Sequence, residues 1–406
     1  MKIELPGQVT RIIRQLNQAG FEAFAVGGCV RDSLLGKQPE DWDITTDAKP
    51  EQVKEIFRKT VDTGIQHGTV TVLMDGCGYE VTTYRIDGVY EDNRHPKEVT
   101  FTRHLEEDLK RRDFTINAMA YNDETGLVDC FSGRKDLKEK IIRCVGNPQE
   151  RFEEDALRIL RAMRFSSQLE FDIDTATYEA AAVLSNNLKS VSIERITVEL
   201  IKLLMGNRPQ LLSNMHSMGI TDIFYPQLDE VSGFLIKCLK SARRTKYERL
   251  TALFIDKTED VASEVLKNLK LDNETIKTVS ILVRHKDDAV YENKPALRKM
   301  LFLYGETIVR QVLSVMNTIA EATDDIEKRE KINAAKSMLD EIISDQDCVS
   351  YRSLALNGKD LLLLGVNPGK EVGIKLSMLM EKVLENPEAN KKEYLISILN
   401  RYDNLK

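Results

Sequence analysis

The chain has 406 residues, 42% of them apolar and 30% charged, with a formal net charge of −7. This composition excludes a disordered chain, and the lack of any apolar run near 18 residues excludes a membrane-spanning helix. The acidic balance argues against broad coating of nucleic acid but leaves room for local basic clusters. Lys110-Arg111-Arg112 and Arg243-Arg244 are such clusters, and each alone reads as an ordinary solvated face.

The length suggests two or three domains at roughly 150 residues each. MKIELPGQ has no signal-peptide pattern, so the expected compartment is cytoplasmic. Cysteines 29, 77, 130, 144, 238 and 348 are scattered without C-x-x-C spacing and read as reduced thiols. The histidines form no cluster.

Along the chain, Val9, Ile12, Ile13 and Leu16 recur at helical spacing, with Gly20 as a stop. Phe24-Ala25-Val26 is an apolar run that ends at Gly27-Gly28, and a short helix pattern follows to Gly36. Asp41-Trp42-Asp43-Ile44 reads as a strand, which puts Asp41 and Asp43 on one face and turns Trp42 and Ile44 toward a core. Pro50 starts another helix pattern with Val53, Ile56 and Phe57 inward. Gly68 to Met74 and Tyr79 to Arg85 read as strands around the Asp75-Gly76 turn. If Val81 is core, Glu80 stands on the open face. Residues 87 to 108 are polar and charged around one short apolar run, Val99-Thr100-Phe101. From about residue 140 the pattern is helical almost throughout, with late breaks at Asn367-Pro368-Gly369 and Asn386-Pro387. Residues 151 to 165 read as one strong helix with Glu154, Arg158 and Arg161 on one face.

Four groups carry chemistry. Two neighbouring carboxylates, Asp41 and Asp43, repel unless a cation lies between them, an arrangement that suits Mg²⁺ with phosphates completing its shell. Gly27-Gly28 opening a helix can turn backbone N–H groups toward phosphate, although a plain tight turn would look the same. Arg112 has the reach for a phosphate, and Asp113 can accept from a ribose hydroxyl; a charged strand or helix edge is the alternative. The helix at 151 to 165 would otherwise be a salt-bridged surface helix.

The Gly27-Gly28…Arg31-Asp32…Asp41-x-Asp43 block resembles the nucleotidyltransferase core of the DNA polymerase β superfamily. With RRDFTINAMA (111–120) and EDALRILRAMRF (154–165) in that order, the chain is similar to class II tRNA nucleotidyltransferases, the bacterial CCA-adding enzymes. LNGKDLLLLGVNPGKEVGIKL (356–376) resembles the family's tail domain.

The resemblance implies an α+β fold: an N-terminal head with a small mixed sheet, then an all-α neck, body and tail. The expected boundaries are 1–140 for the head, 141–205 for the neck, 206–330 for the body and 331–406 for the tail. It implies template-independent addition of C, C and A to tRNA lacking all or part of its 3′ CCA, from CTP and ATP, with pyrophosphate released. A poly(A) polymerase or A-adding enzyme is the alternative, and an inactive tRNA-binding module is a more distant one. No protein partner or membrane is expected.

Family roles would place catalysis and Mg²⁺ binding on Asp41 and Asp43, with Glu80 inferred as a third acid. Nucleotide binding would fall on Gly27, Gly28, Arg31, Arg112, Asp113, Asn117, Glu154, Asp155, Arg158 and Arg161. Cytosine and adenine each present an amino donor beside a ring-nitrogen acceptor. Asp155 only accepts and Arg158 only donates, so the pair matches C and A and opposes U and G. Asp32 is either a part of the triphosphate site or a helix N-terminal acid favoured by the dipole.

The segment 87–96 resembles the family's flexible loop, present in enzymes that also add A, with Asn93-Arg94-His95-Pro96 where two adjacent arginines are expected. Asp129-Cys130-Phe131-Ser132-Gly133 varies another family pattern. Body and tail would hold tRNA by shape and backbone charge, giving a strongly salt-dependent affinity.

Overall fold

The protein is described by a computed structural model over residues 2–88 and 99–403. The segment 89–98, which holds most of the expected flexible loop with Asn93-Arg94-His95-Pro96, lies outside the described residues.

Helix α1 (Gly7–Gln18) buries Val9, Ile12, Ile13 and Leu16, the four positions its periodicity picks out. It packs on β1 (Ala23–Val26), whose four residues are all buried. Four consecutive buried residues mark a central strand. Helix α2 (Gly28–Leu34) follows directly, then β2 (Ile44–Thr46) and α3 (Pro50–Ile56), started by a proline whose missing N–H costs a helix nothing there. Strands β3 (Thr60–Gly64), β4 (Thr69–Met74) and β5 (Cys77–Thr83) form a meander. Asp75 and Gly76 both have positive φ, 53° and 84°, which the two-residue turn between β4 and β5 requires.

Beyond β6 (Arg85–Asp87) and β7 (Val99–Phe101), which pair with each other, comes α4 (Leu105–Lys110). Strands β8 (Ala120–Asn122) and β9 (Gly126–Val128) complete a seven-stranded sheet of order β3-β4-β5-β2-β1-β8-β9. It is mixed: β2 runs parallel to β5, and the other neighbours are antiparallel.

Asp129 accepts from the N–H groups of Gly133 and Arg134 at the start of α5 (Gly133–Glu139), so the varied 129–133 segment is a helix start. After β10 (Ile141–Ile142) come α6 (Pro148–Glu154) and α7 (Leu157–Leu169). The expected single helix over 151–165 is therefore two. Asp155 has extended backbone (φ −141°, ψ 102°), and its carboxylate accepts from the N–H of Leu157, starting the second helix. Strand β11 (Asp172–Ile173) pairs parallel with β10, and α8 (Thr175–Leu184) and α9 (Ile193–Leu204) follow; α9 packs on α7.

The chain divides into two compact units, Met1–Val231 with Asn268–Lys270, and Ser232–Lys267 with Leu271–Lys406. The second unit is helical among its described residues. Its longest helix, Lys294–Ala322, is interrupted at Gly305 (φ 77°, ψ 167°). Leu379, Met380 and Leu384 are buried with Leu356, Leu361 and Leu395. Among the described residues no helix is long and apolar enough to cross a membrane.

Candidate active site

At the end of β1 the chain turns on Gly27, whose φ of 82° and ψ of −127° are closed to most side chains. Its N–H donates to Met119 O (3.1 Å), and its carbonyl accepts from Arg31 N (3.1 Å) as α2 begins. A Cβ at Gly27 would lie 3.1 Å from Arg112 Nη1. The missing side chain thus lets a guanidinium rest against the turn. A cleft of about 510 Å³ opens beside it, with Gly28, Cys29, Arg31, Asp32, Asp41 and Asp43 among its lining.

The two aspartates precede the strand they were expected to occupy, because β2 begins at Ile44. Val26 N–H donates to Asp43 O (3.0 Å), which holds Asp43 in line with the sheet while Asp41 lies beyond its end. Ile44 and Val81 are paired in register and buried, so Asp43 and Glu80, one residue before each, share the opposite, open face. Trp42 is only half-buried, whereas Ile44 is fully in the core. Asp43 is exposed as a residue, yet protein surrounds its carboxyl closely enough to push its pKa above the usual carboxylate value. Desolvation is the main cause; Glu80 and Asp41 add to it, and Arg112 opposes it. Three carboxylates countered mainly by one guanidinium form a hard-oxygen donor set that a divalent cation would relieve. Among the described residues no three Asp, Glu, His or Cys gather closely enough to hold an ion by themselves.

A continuous polar chain leads away from the cleft. Arg31 forms a two-pronged pair with Asp32, both arms 2.9 Å, and donates to Asn117 Oδ1 (2.7 Å). Asp32 is thus the partner of Arg31 within α2 and does not occupy the helix's first turn. Asn117 donates to Asp113 Oδ1 (3.1 Å), which also takes the N–H of Phe114. Arg161 donates twice to Asp113 Oδ2, at 2.8 and 2.6 Å. Burial works to raise the Asp113 pKa, but Arg161, Asn117 and Arg158 outweigh it and hold the carboxyl down at about 2. Arg31, Arg161 and Arg164 all stack on the Phe165 ring, at 5.0, 5.4 and 3.8 Å from its centroid.

Glu154, Asp155 and Arg158 meet at the break between α6 and α7. Arg158 donates to Glu154 (2.6 Å) and to the carbonyls of Arg151 (3.1 Å) and Arg111 (2.9 Å). Asp155 Oδ2 is held by Arg195 of α9 (2.8 Å). The structure thus assembles Arg31, Asn117, Asp113 and Arg161 into one network, and Glu154 with Arg158 into a second. Gly27 and Gly28 lie beside Arg112 and Arg31, Asp41 and Asp43 line the same cleft, and Asp43 feels both Glu80 and Arg112.

Sequence reasoning missed three residues. Asp108 is fully buried and pairs with Arg111 (2.7 Å) and Arg112 (3.2 Å), and Thr45 of β2 donates to it (3.2 Å). Arg111 and Arg112 outweigh its burial and lower its pKa. Its signal was the i,i+3 and i,i+4 spacing to the two arginines. Arg195 and Glu199, the latter pairing with Arg164 and Arg161, sit on α9 and gave no local signal.

Residues 23–143 match the family model described as "Poly A polymerase head domain", 170–231 match "Probable RNA and SrmB- binding site of polymerase A", and 244–399 match tRNA nucleotidyltransferase domain 2. The chain is 40% identical to the CCA-adding enzyme of Enterococcus faecalis over 96% of its own length and 94% of that protein's. It is 39% identical to the CCA-adding enzyme of Ligilactobacillus salivarius over 95% of its length and 94% of the relative's. Among solved structures it is similar to the Bacillus stearothermophilus CCA-adding enzyme in complex with CTP, with a TM-score of 0.81, 31% identity and 100% of both chains covered.

Proposed function

We propose that this chain, which belongs to the family of CCA-adding enzymes, rebuilds the 3′ CCA end of tRNA by reading each incoming nucleotide with protein side chains in place of a nucleic-acid template. It is an enzyme, a tRNA nucleotidyltransferase that uses CTP and ATP. The alternative of a poly(A) polymerase is disfavoured, because the relatives that match nearly the full length are CCA-adding enzymes. A compartment with tRNA as substrate makes the cytoplasm its expected location.

The division into head, neck, body and tail at residues 140, 205 and 330 is part of this reading. So are the site roles. The family uses a divalent metal, and Mg²⁺ is the proposed ion, held by Asp41 and Asp43 with Glu80 alongside. When bound, it would activate the tRNA 3′-hydroxyl and stabilise the leaving pyrophosphate. Arg112 and the Gly27-Gly28 turn receive the triphosphate. Arg31 and Asn117 orient Asp113, and Arg161 keeps its carboxylate charged so that it can accept from the ribose. Glu154 steadies Arg158, and Asp155 with Arg158 offers the acceptor and donor that match C and A. Uracil or guanine would meet like against like, at a cost of roughly 1–3 kcal/mol.

One observation carries the reading: Arg158 donates to the backbone of Arg111, and the next residue, Arg112, rests on the Gly27 turn. A single backbone step therefore joins the residue assigned to the base with the residue assigned to the phosphates. The test is incorporation of labelled CTP into tRNA lacking its CCA. Efficient CMP transfer is expected; strict preference for ATP would favour the polymerase alternative.

A further inference from the structure

We propose that Arg151 is a positioning residue for nucleotide selection, acting through Glu154 on Arg158. The inference rests on the reading of Arg158 as the donor that meets the base.

Glu154 is a carboxylate between two guanidiniums. One oxygen pairs with Arg151, and the other accepts from Arg158 at 2.6 Å. Arg151 also donates to Lys110 O (3.2 Å), while Arg158 donates to the very next carbonyl, Arg111 O (2.9 Å), and to Arg151's own carbonyl (3.1 Å). The two arginines thus clamp the C-terminal carbonyls of α4, where cations are favoured, and share Glu154 between them. A guanidinium is a rigid planar fork, so fixing these acceptors fixes the plane and direction of the Arg158 guanidinium.

Arg151 also sits beside open space. A cleft of about 240 Å³ is lined by Ile86, Glu107, Lys110, Arg111, Arg151 and Glu154. Without the Arg151 side chain, water would fill its place and Glu154 would be free to rotate, drawing Arg158 with it. The Arg151 side chain is mostly buried, and its Nε lacks a hydrogen-bond partner. Burying an unsatisfied donor is costly, and an apolar residue would fill the space without that cost. The charge at this position therefore does more than pack.

The experiment measures kcat and KM for single-nucleotide transfer from each of the four nucleoside triphosphates to tRNA lacking CCA. It compares the unmodified protein with Arg151→Met, Arg151→Lys and Arg158→Ala. Arg151→Met is expected to lower the CTP-to-UTP ratio of kcat/KM about tenfold, mainly through a higher KM for CTP. Arg151→Lys keeps a charge beside Glu154 but loses the fork, and recovers only part of the ratio. Equal losses for all four nucleotides, or an unchanged ratio, would overturn the proposal. Should Arg151→Met not fold, the lysine variant decides alone: an intact ratio refutes the role. An Arg158→Ala variant that discriminates normally would overturn the underlying reading instead, and this inference with it.

Discussion

Asp155 and Arg195 meet at 2.8 Å, joining the break between α6 and α7 to a guanidinium on α9. The same carboxylate starts α7 through the N–H of Leu157, so its two oxygens have separate structural partners. Replacing Arg195 by methionine leaves the helix start intact and frees the other oxygen. The expected result is a fall of about tenfold in kcat/KM for both CTP and ATP, roughly 1.4 kcal/mol, with the circular dichroism spectrum unchanged. Full activity in the variant would show that the pair does not orient Asp155 for its proposed task.

Asp113 gives a pH signature. Its folded pKa of about 2 lies below the ordinary value of 3.8, so its pairing contributes stability that is present above pH 4 and is lost as pH falls through 2. The contribution is on the order of 2 kcal/mol. In urea unfolding, Asp113→Asn should be less stable than the unmodified protein at pH 7, and the gap should narrow between pH 4 and pH 2. A gap independent of pH would mean that Arg161 does not hold the carboxylate.

Gly27→Ala tests the turn. A methyl group there meets Arg112 Nη1 at 3.1 Å and must adopt a φ of 82°. The strain should cost about 1–3 kcal/mol of stability, and displacement of Arg112 should raise KM for both nucleotides several-fold. Unchanged KM values would detach Arg112 from the triphosphate.

Asp41→Ala and Asp43→Ala separate chemistry from binding. Each should abolish nucleotide transfer while tRNA affinity, measured by filter binding at fixed salt, changes less than about twofold. Equal loss of tRNA binding would recast both acids as structural.

Local pattern made the sheet and the first helices legible. Val9, Ile12, Ile13 and Leu16 are the buried stripe of α1, and the Asp75-Gly76 turn joins β4 to β5 as its residue types require. The carboxylates were legible as a pair, but the strand's start at Ile44 was not, since extended coil and strand present the same alternation. The break at Asp155 was hidden because good helix formers surround it, while an aspartate can equally cap a new helix from extended backbone. Arg195 and Glu199 were invisible because their partners lie some 35 to 40 residues away, and ion pairs at that separation leave no trace in spacing.

The most direct measurement offers three tRNA primers, ending before the first C, after one C and after two Cs, to each nucleoside triphosphate in turn. The account predicts CMP, CMP and AMP respectively, with UTP and GTP poorly used throughout, and loss of that discrimination in Arg158→Ala. Addition of AMP to all three primers, or discrimination that survives the loss of Arg158, would contradict it.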